Sequence, residues 1–442
     1  MPKSTQEFQL LQKELILQLQ LFRKKMGEYP NVNLTIQLSA IPPLLTLLKG
    51  QSVNIQTNDF LLPTIYWQDR EQKKTLASFG TIQRLNEIPN AIGEELYLGG
   101  MAFQSQDEQW QDFPETLFIR PMIVFEECNE LDKHKKFRVI FHFNGKHSVQ
   151  QSIECLQALN SPKDLAPFIN QQLSREDLPN KTQWADLVDL AIEYKALLPK
   201  VVLSRSTALL FAEPIDAWDI MGLWQQANPN SFHYAFQLSA QHCFISCSPE
   251  RLYARENNTV VTEALAGTVN RGRDKREDQL LKDNLLHDKK IDRENYLVQE
   301  FIIANLKQLK AQVTQLPAHV LQLQHVQHLC IPIQAIVNKE TKDSDLLYKL
   351  HPTPAVAGTP KLPALQFIND KEPYIRGWYA GAIGIIEKNR SDFSVAIRSA
   401  LISNNRIELF AGAGIVTGSI AEQEWQELDN KIQTILNILG AQ

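Results

Sequence analysis

Apolar positions recur along the chain with two different periods, and the changes between them outline its elements. Ser4 and Glu7 stand at capping-box spacing before a leucine-rich segment reaching about Lys25, which predicts an amphipathic helix packed on the body of the protein. From Asn33 to about Gly145 the pattern turns to short β segments, LTIQLSAI, PTIYWQDRE, TLFIRPMIVFEE and KFRVIFHF, separated by Pro, Asn, Asp and Gly. Stretches bearing proline and charge at Ser161–Pro167 and Glu176–Lys181 then lead into a helix over Trp184–Leu197. They are the best boundary between an N-terminal region, 1–183, and a motif-dense remainder, 184–437. No shift in composition is sharp enough to make these independent domains, and there are no internal repeats.

The remainder opens on PKVVLSRSTALLF, where a helix ends and a β-branched strand begins with Lys200 at the junction. Strands with turns at Ser239–Gln241 and Glu256–Asn258 follow, then a Gly-Thr turn at Gly267–Thr268. A helix is expected over Lys282–Lys310, its apolar stripe running through Ile291, Val298, Phe301 and Leu309. LHPTPAVAGTPKLPAL, from Leu350, is a proline-stiffened loop presenting His351. RGWYAGAIGII begins another strand at Arg376, and DFSVAIRSALI reads as one strand with Arg398 inside it. Near the C-terminus, Leu409 to Lys431 reads as a strand end, a glycine turn at Gly412, Gly414 and Gly418, and a helix with acidic first turns. On that helix Glu424, Glu427 and Lys431 share one face, beside an apolar stripe of Leu428, Ile432, Ile435 and Leu439.

Composition narrows the classes. The 442 residues suffice for one large mixed domain, and a net charge of −5 without long runs gives no reason to expect nucleic acid or an anionic membrane as partner. No apolar stretch is long enough to span a bilayer, and the first residues lack a signal peptide's apolar core, so the cytoplasm is the expected location. The five cysteines are an odd set without framework spacing, as in a reduced compartment.

Several residues are candidates for chemistry, each with an ordinary alternative. Lys200 is either a solvated charge at a strand edge or, drawn into an apolar cleft, a general base. Glu250 follows Ser248 and Pro249 at a strand end, where it is either an exposed acid or a carboxyl pointing into a cleft. Glu294 falls within the apolar stripe of its helix, and a buried carboxylate needs a cation or strong donors. With Glu424 and Glu427 it makes a set of hard oxygen ligands suited to Mg²⁺, although a solvated acidic first turn explains the latter two equally well. Arg398 inside an apolar strand is paired with an acid or awaits a carboxylate ligand. His242, Cys243 and Cys247 lack further ligands and read as structural, and His325 and His328 read as surface. GAGIVTG lacks the spacing and the βαβ setting of a dinucleotide loop.

Taken in order, KVVLSR (200–205), SPERL (248–252), ALAGT (264–268), Glu294, LHPTPAVAG (350–358), RGWYAG (376–381), the strand ending in Arg398 and AGAGIVTGS…EWQELDNK (411–431) resemble the motifs of the chorismate-utilising enzymes. YWQDR (66–70) and LGGMAF (98–103) are weaker companions. That family includes isochorismate and salicylate synthases and the large subunits of anthranilate and aminodeoxychorismate synthases. The resemblance implies an α+β fold of two large antiparallel sheets packed face to face with helices outside. It also implies Mg²⁺ held by Glu294 and Glu427 with Glu424 close by, Lys200 as the base that activates water, and Glu250 as the acid for the departing hydroxyl. Tyr379 and Arg398 resemble the grip on the enolpyruvyl carboxylate; Gly267, Thr268, Gly412, Gly414 and Lys431 resemble the ring side of the site, with His351 lining it. Lys200 and Ala266 favour water over ammonia as nucleophile, and thus isochorismate synthase, of the menaquinone type or for a siderophore. Salicylate synthase is the alternative, and an anthranilate synthase large subunit is less favoured. Chorismate is the expected partner, with no obligatory amidotransferase subunit and a monomer or homodimer as the assembly. Asn295 departs from the family's usual histidine, and an insertion is expected around Thr314–Gln327.

Overall fold

The computed structural model describes residues 5–52, 59–104, 108–129, 135–287, 289–322 and 326–441, with side chains left aside at 108, 266–268, 270, 289–294, 326 and 328. Every strand pairing among them is antiparallel, and the pairings form one continuous network with two arms. The arms diverge at the long strand Thr116–Asn129, which holds Lys74–Leu85 along one edge. Along its other edge it holds Leu96–Met101 and then Lys135–Phe141.

One arm runs from Lys74–Leu85 through Thr64–Gln68, Phe232–Gln237, His242–Ser248, Ser399–Ser403 and Arg406–Val416 to Lys200–Phe211. The other runs from Leu96–Met101 through Ala382–Glu387, Arg390–Val395, Arg251–Glu256 and Thr259–Asn270 to Val326–Ile336. Strands from before residue 183 thus sit within the same ladders as later ones. The inner faces meet in an aromatic-rich core that includes Trp67, Phe118, Phe236, Phe244, Trp378 and Phe393. Burial of such rings drives the two faces together, and many meet edge to face, as Phe236 and Phe244 do on Trp378.

A second core lies between the outer face of the first arm and its helices. The C-terminal helix, Ala421–Leu439, contributes the predicted stripe of Leu428, Ile432, Ile435 and Leu439, all buried. The N-terminal helix, Thr5–Met26, buries Phe8, Leu11, Leu15 and Leu19 at helical spacing; Ser4 of the expected capping box lies outside the described residues. No helix among the described residues is long and apolar enough to cross a membrane.

Several elements differ from the sequence reading. The segment 172–178 forms a strand on the Lys200 strand, so the expected boundary at Glu176–Lys181 crosses a ladder. The helix at 282–310 is two helices, Lys275–His287 and Lys289–Gln308. The expected Gly267–Thr268 turn is a bulge: Ala266 pairs with Leu329 and Thr268 with His328, leaving Gly267 as the extra residue of a strand that continues to Asn270. Lys361–Lys371, partly read as loop, is helical. The strand expected through Arg398 is broken into Arg390–Val395 and Ser399–Ser403, with Arg398 in the connection at φ +49°. His325 lies outside the described residues.

Candidate active site

The strand Arg406–Val416 runs straight through Gly412 and Gly414, correcting the expectation of a turn at both; only Gly418, at φ +91°, turns the chain toward the helix. The two glycines are there for space. A Cβ on Gly412 would stand 2.7 Å from the Tyr379 hydroxyl, and one on Gly414 would stand 3.1 Å from Cε and 3.7 Å from Nζ of Lys200. A bare strip of backbone therefore forms the floor on which a phenol and the end of a lysine side chain rest.

Lys200 begins the neighbouring strand, paired with Val416 and, on its other edge, with Thr359. It is buried, so the reading as a solvated edge charge fails. Glu250, between the strands His242–Ser248 and Arg251–Glu256, is also buried. Burial, with Glu263 nearby, pushes its carboxyl up to about 8, against the opposing pull of Lys200 and Lys431. A carboxyl so placed is largely protonated at neutral pH despite two lysines within electrostatic reach.

The C-terminal helix closes one side. Lys431 donates from Nζ to the Gly412 carbonyl at 2.7 Å and to Glu427 at 2.6 Å, one helical turn back. Arg398 donates from Nη1 to the Lys431 carbonyl at 2.5 Å, so its side chain reaches the middle of this helix from a left-handed backbone. Burial depresses the Arg398 guanidinium to about 10, with Glu427 and Tyr379 pulling the other way. Tyr379 is buried and stacked on Phe410, centroids 5.2 Å apart and planes 17° from parallel. His351 does not stand free in the pocket: its Nε2 lies 2.9 Å from the Ala380 carbonyl, and burial lowers the imidazole to about 4. A neutral ring donates that hydrogen bond and thereby supports the turn carrying Tyr379.

Among the described residues no three His, Cys, Asp or Glu side chains converge to hold a metal. The Glu294 carboxylate is outside the described side chains; its helix is tied to the site by the next residue, Asn295, which donates to the carbonyls of Ala264 and Leu329. Glu424 is buried, whereas the Glu427 side chain is 42% exposed. The donor chemistry of these expected positions is all carboxylate, the kind that suits a hard cation such as Mg²⁺, and Glu427 is engaged by Lys431. Of Gly267 and Thr268 only the backbone is described, at the bulge of the strand that leads to the site.

A buried ion pair beneath this floor was not assigned in the sequence. Arg376 and Glu372 are both fully buried and 2.5 Å apart. Arg376 also donates to the carbonyls of Val356 and Val202, while Glu372 accepts from the backbone and hydroxyl of Ser204. The pair thus bolts the Lys200 strand to the loop after His351. Arg376 falls in RGWYAG, but Glu372 stands four residues earlier in extended backbone just past the helix Lys361–Lys371, so no helical spacing announces the pair.

The family model described as chorismate binding enzyme matches residues 85–440. Isochorismate synthase MenF of Escherichia coli is 36% identical over 384 residues, covering 85% of this chain and 88% of the relative. The protein of the same name from Haemophilus influenzae is 33% identical over 405 residues, covering 90% and 89%. The solved structure of MenF, the menaquinone-specific isochorismate synthase from Escherichia coli, superposes with a TM-score of 0.84 at 33% identity, covering 96% of this chain and 99% of that one.

Proposed function

The chain belongs to the chorismate-binding enzyme family, and from that premise we propose that it is an isochorismate synthase working by Lys200-assisted addition of water to chorismate and Glu250-assisted loss of its hydroxyl. The observation that carries the mechanism is a buried Lys200, packed on Gly414, within electrostatic reach of a buried Glu250 whose carboxyl is held near protonation.

The reaction starts from unprotonated Lys200 and protonated Glu250. Lys200 takes a proton from the water attacking C2 of the ring, the ring double bonds shift, and Glu250 gives its proton to the hydroxyl leaving C4 as water. One water enters and one leaves, so the product is an isomer; a proton then has to pass from Lys200 back to Glu250 before the next turn. Arg398 and Tyr379 bind the enolpyruvyl carboxylate, and a guanidinium already desolvated by burial gains most from an anionic ligand. Gly267, Thr268, Gly412, Gly414 and Lys431 form the ring side. His351 acts through Ala380 and Tyr379. Glu294, Glu427 and Glu424 would hold Mg²⁺, which when bound supplies positive charge for the ring carboxylate.

We assign the enzyme to the menaquinone branch, as a cytoplasmic monomer or homodimer that needs no amidotransferase subunit. Residues 1–183 contribute strands to the same body as the catalytic region 184–437. The test is to incubate the purified protein with chorismate and Mg²⁺, without ammonia, and to separate the products. Isochorismate without free pyruvate, abolished by EDTA and by Lys200→Ala, is the expected result. Salicylate with pyruvate would move the protein to the salicylate synthases, and anthranilate formed only with ammonia would overturn the role of Lys200.

A further inference from the structure

A single buried ion pair holds the chain on both sides of Glu250. Arg70, from the N-terminal YWQDR segment, makes a two-pronged contact with Glu263, Nη1 to Oε1 at 2.6 Å and Nη2 to Oε2 at 2.9 Å. The same Nη1 donates to the Pro249 carbonyl at 2.8 Å. Glu263 Oε1 in turn accepts the Arg251 amide at 3.0 Å. Of the two peptide groups that meet at the Glu250 Cα, the first is therefore held by Arg70 and the second by Glu263. The Glu250 carbonyl is fixed as well, accepting from the Val395 amide at 3.0 Å. Both side chains are largely out of water, Arg70 at 12% and Glu263 at 7% exposure, so these bonds face little competition from solvent.

Arg70 and Glu263 come from segments 193 residues apart, and neither belongs to the groups placed on the substrate. With both peptide planes held, the backbone angles of Glu250 and the direction of its Cβ are set. We propose that Arg70 and Glu263 are positioning residues, which aim the Glu250 carboxyl at the leaving hydroxyl by clamping the peptide groups on either side of it. The proposal rests on the reading of Glu250 as the acid. It gives the N-terminal region a part in catalysis: an arginine from the first arm's hairpin pairs with Glu263 on the second and orients a group in the connection between the two arms.

Arg70→Lys tests this, since lysine keeps a positive charge opposite Glu263 but cannot grip both of its oxygens and the Pro249 carbonyl at once. Misaiming a catalytic group by a fraction of an ångström to an ångström costs about 10- to 100-fold. The expected result is a kcat lowered by about tenfold or more, with KM for chorismate within about threefold and the thermal midpoint little changed. Glu263→Gln, which retains an acceptor for the Arg251 amide, should keep more kcat than Glu263→Ala. A kcat for Arg70→Lys within about twofold of the parent would overturn the proposal, as would parallel losses of kcat, KM and thermal midpoint, which mark general structural damage. If Arg70→Lys does not fold, the two Glu263 variants carry the comparison, and equal kcat values for them would overturn it. Glu250→Gln separates the two claims. Parental turnover by that variant would refute Glu250 as the acid, whereas an inactive Glu250→Gln beside a fully active Arg70→Lys would refute only the clamp.

Discussion

Gly412→Ala isolates the claim that bare backbone forms the floor of the site. The added methyl would stand 2.7 Å from the Tyr379 hydroxyl, 3.2 Å from the Leu203 carbonyl oxygen and 3.2 Å from Cγ1 of Val202. Non-bonded heavy atoms rest at about 3.5 Å or more, so the phenol must retreat by roughly 0.5–1 Å. It has little room, because its ring is buried against Phe410 and the turn that carries it is held by His351 at the Ala380 carbonyl. On stability, alanine in a strand gains about 0.5–1 kcal/mol over glycine, while overpacking costs about 1–3 kcal/mol. The net loss is then at most about 2.5 kcal/mol. On catalysis, a displacement of that size costs about 10- to 100-fold in kcat/KM. The assay is steady-state kinetics on chorismate beside a denaturation curve, for Gly412→Ala, Tyr379→Phe and the double variant. Removing the hydroxyl removes the clash, so Gly412→Ala should cost less in the Tyr379→Phe background. Equal costs in both backgrounds, or parental kinetics for Gly412→Ala, would refute the steric argument.

Two further outcomes follow from buried charge. Glu250 is raised from 4.5 in the unfolded chain to about 8 in the fold, so the stability it permits is fully present below about pH 4.5 and is lost as the pH rises through about 8. Glu250→Gln has no such loss, and denaturation at pH 5 and pH 8.5 should show the variant gaining on the parent at the higher pH; a constant difference would contradict the assignment. Arg376→Met leaves Glu372 buried without its partner and should cost about 3–5 kcal/mol, whereas Arg376→Met combined with Glu372→Leu should recover part of that, as read from urea midpoints. A double variant as unstable as the single one would show that the pair's hydrogen bonds to Ser204, Val202 and Val356 outweigh its charge.

What could be read in the chain depended on whether a role is local. Helix faces are local: the stripe from Leu428 to Leu439 and the neighbourhood of Glu427 and Lys431 follow from a fixed angular step, and the structure shows both. Strand alternation is local too, which is why many strands are legible in the sequence, while the strand Gln172–Leu178, charged at Arg175–Asp177 and largely without buried positions, reads as a linker. Glycine was the point of failure. Gly412, Gly414 and Gly267 all suggested turns, yet each lies in a strand, the first two because another side chain fills the space a Cβ would take and the third because the strand bulges. Sequence pattern reports that a side chain is missing but not what occupies its place. The arginine at 398 failed in the opposite way: its apolar surroundings predicted a strand interior, while a left-handed backbone breaks the strand and sends the guanidinium to the Lys431 carbonyl.

Charges that act across the fold follow the same logic. Lys200 and Glu250 were visible because each sits in a recognisable motif, but their coming within electrostatic reach of one another depends on the tertiary fold. Arg70, Glu263, Glu372 and Arg376 carry no local signature of their roles, since each pairs through tertiary contacts or supports backbone remote in sequence. Their partners are largely backbone atoms, and those are identical at every position of a sequence. An ion pair that holds peptide groups is therefore legible only once the chain is folded. It is also the kind of pair whose worth lies in geometry, because a buried charge pair adds little net stability over apolar groups of the same shape. The site's acid and base are thus set by motif residues, and the aim of the acid by contacts that no motif reveals.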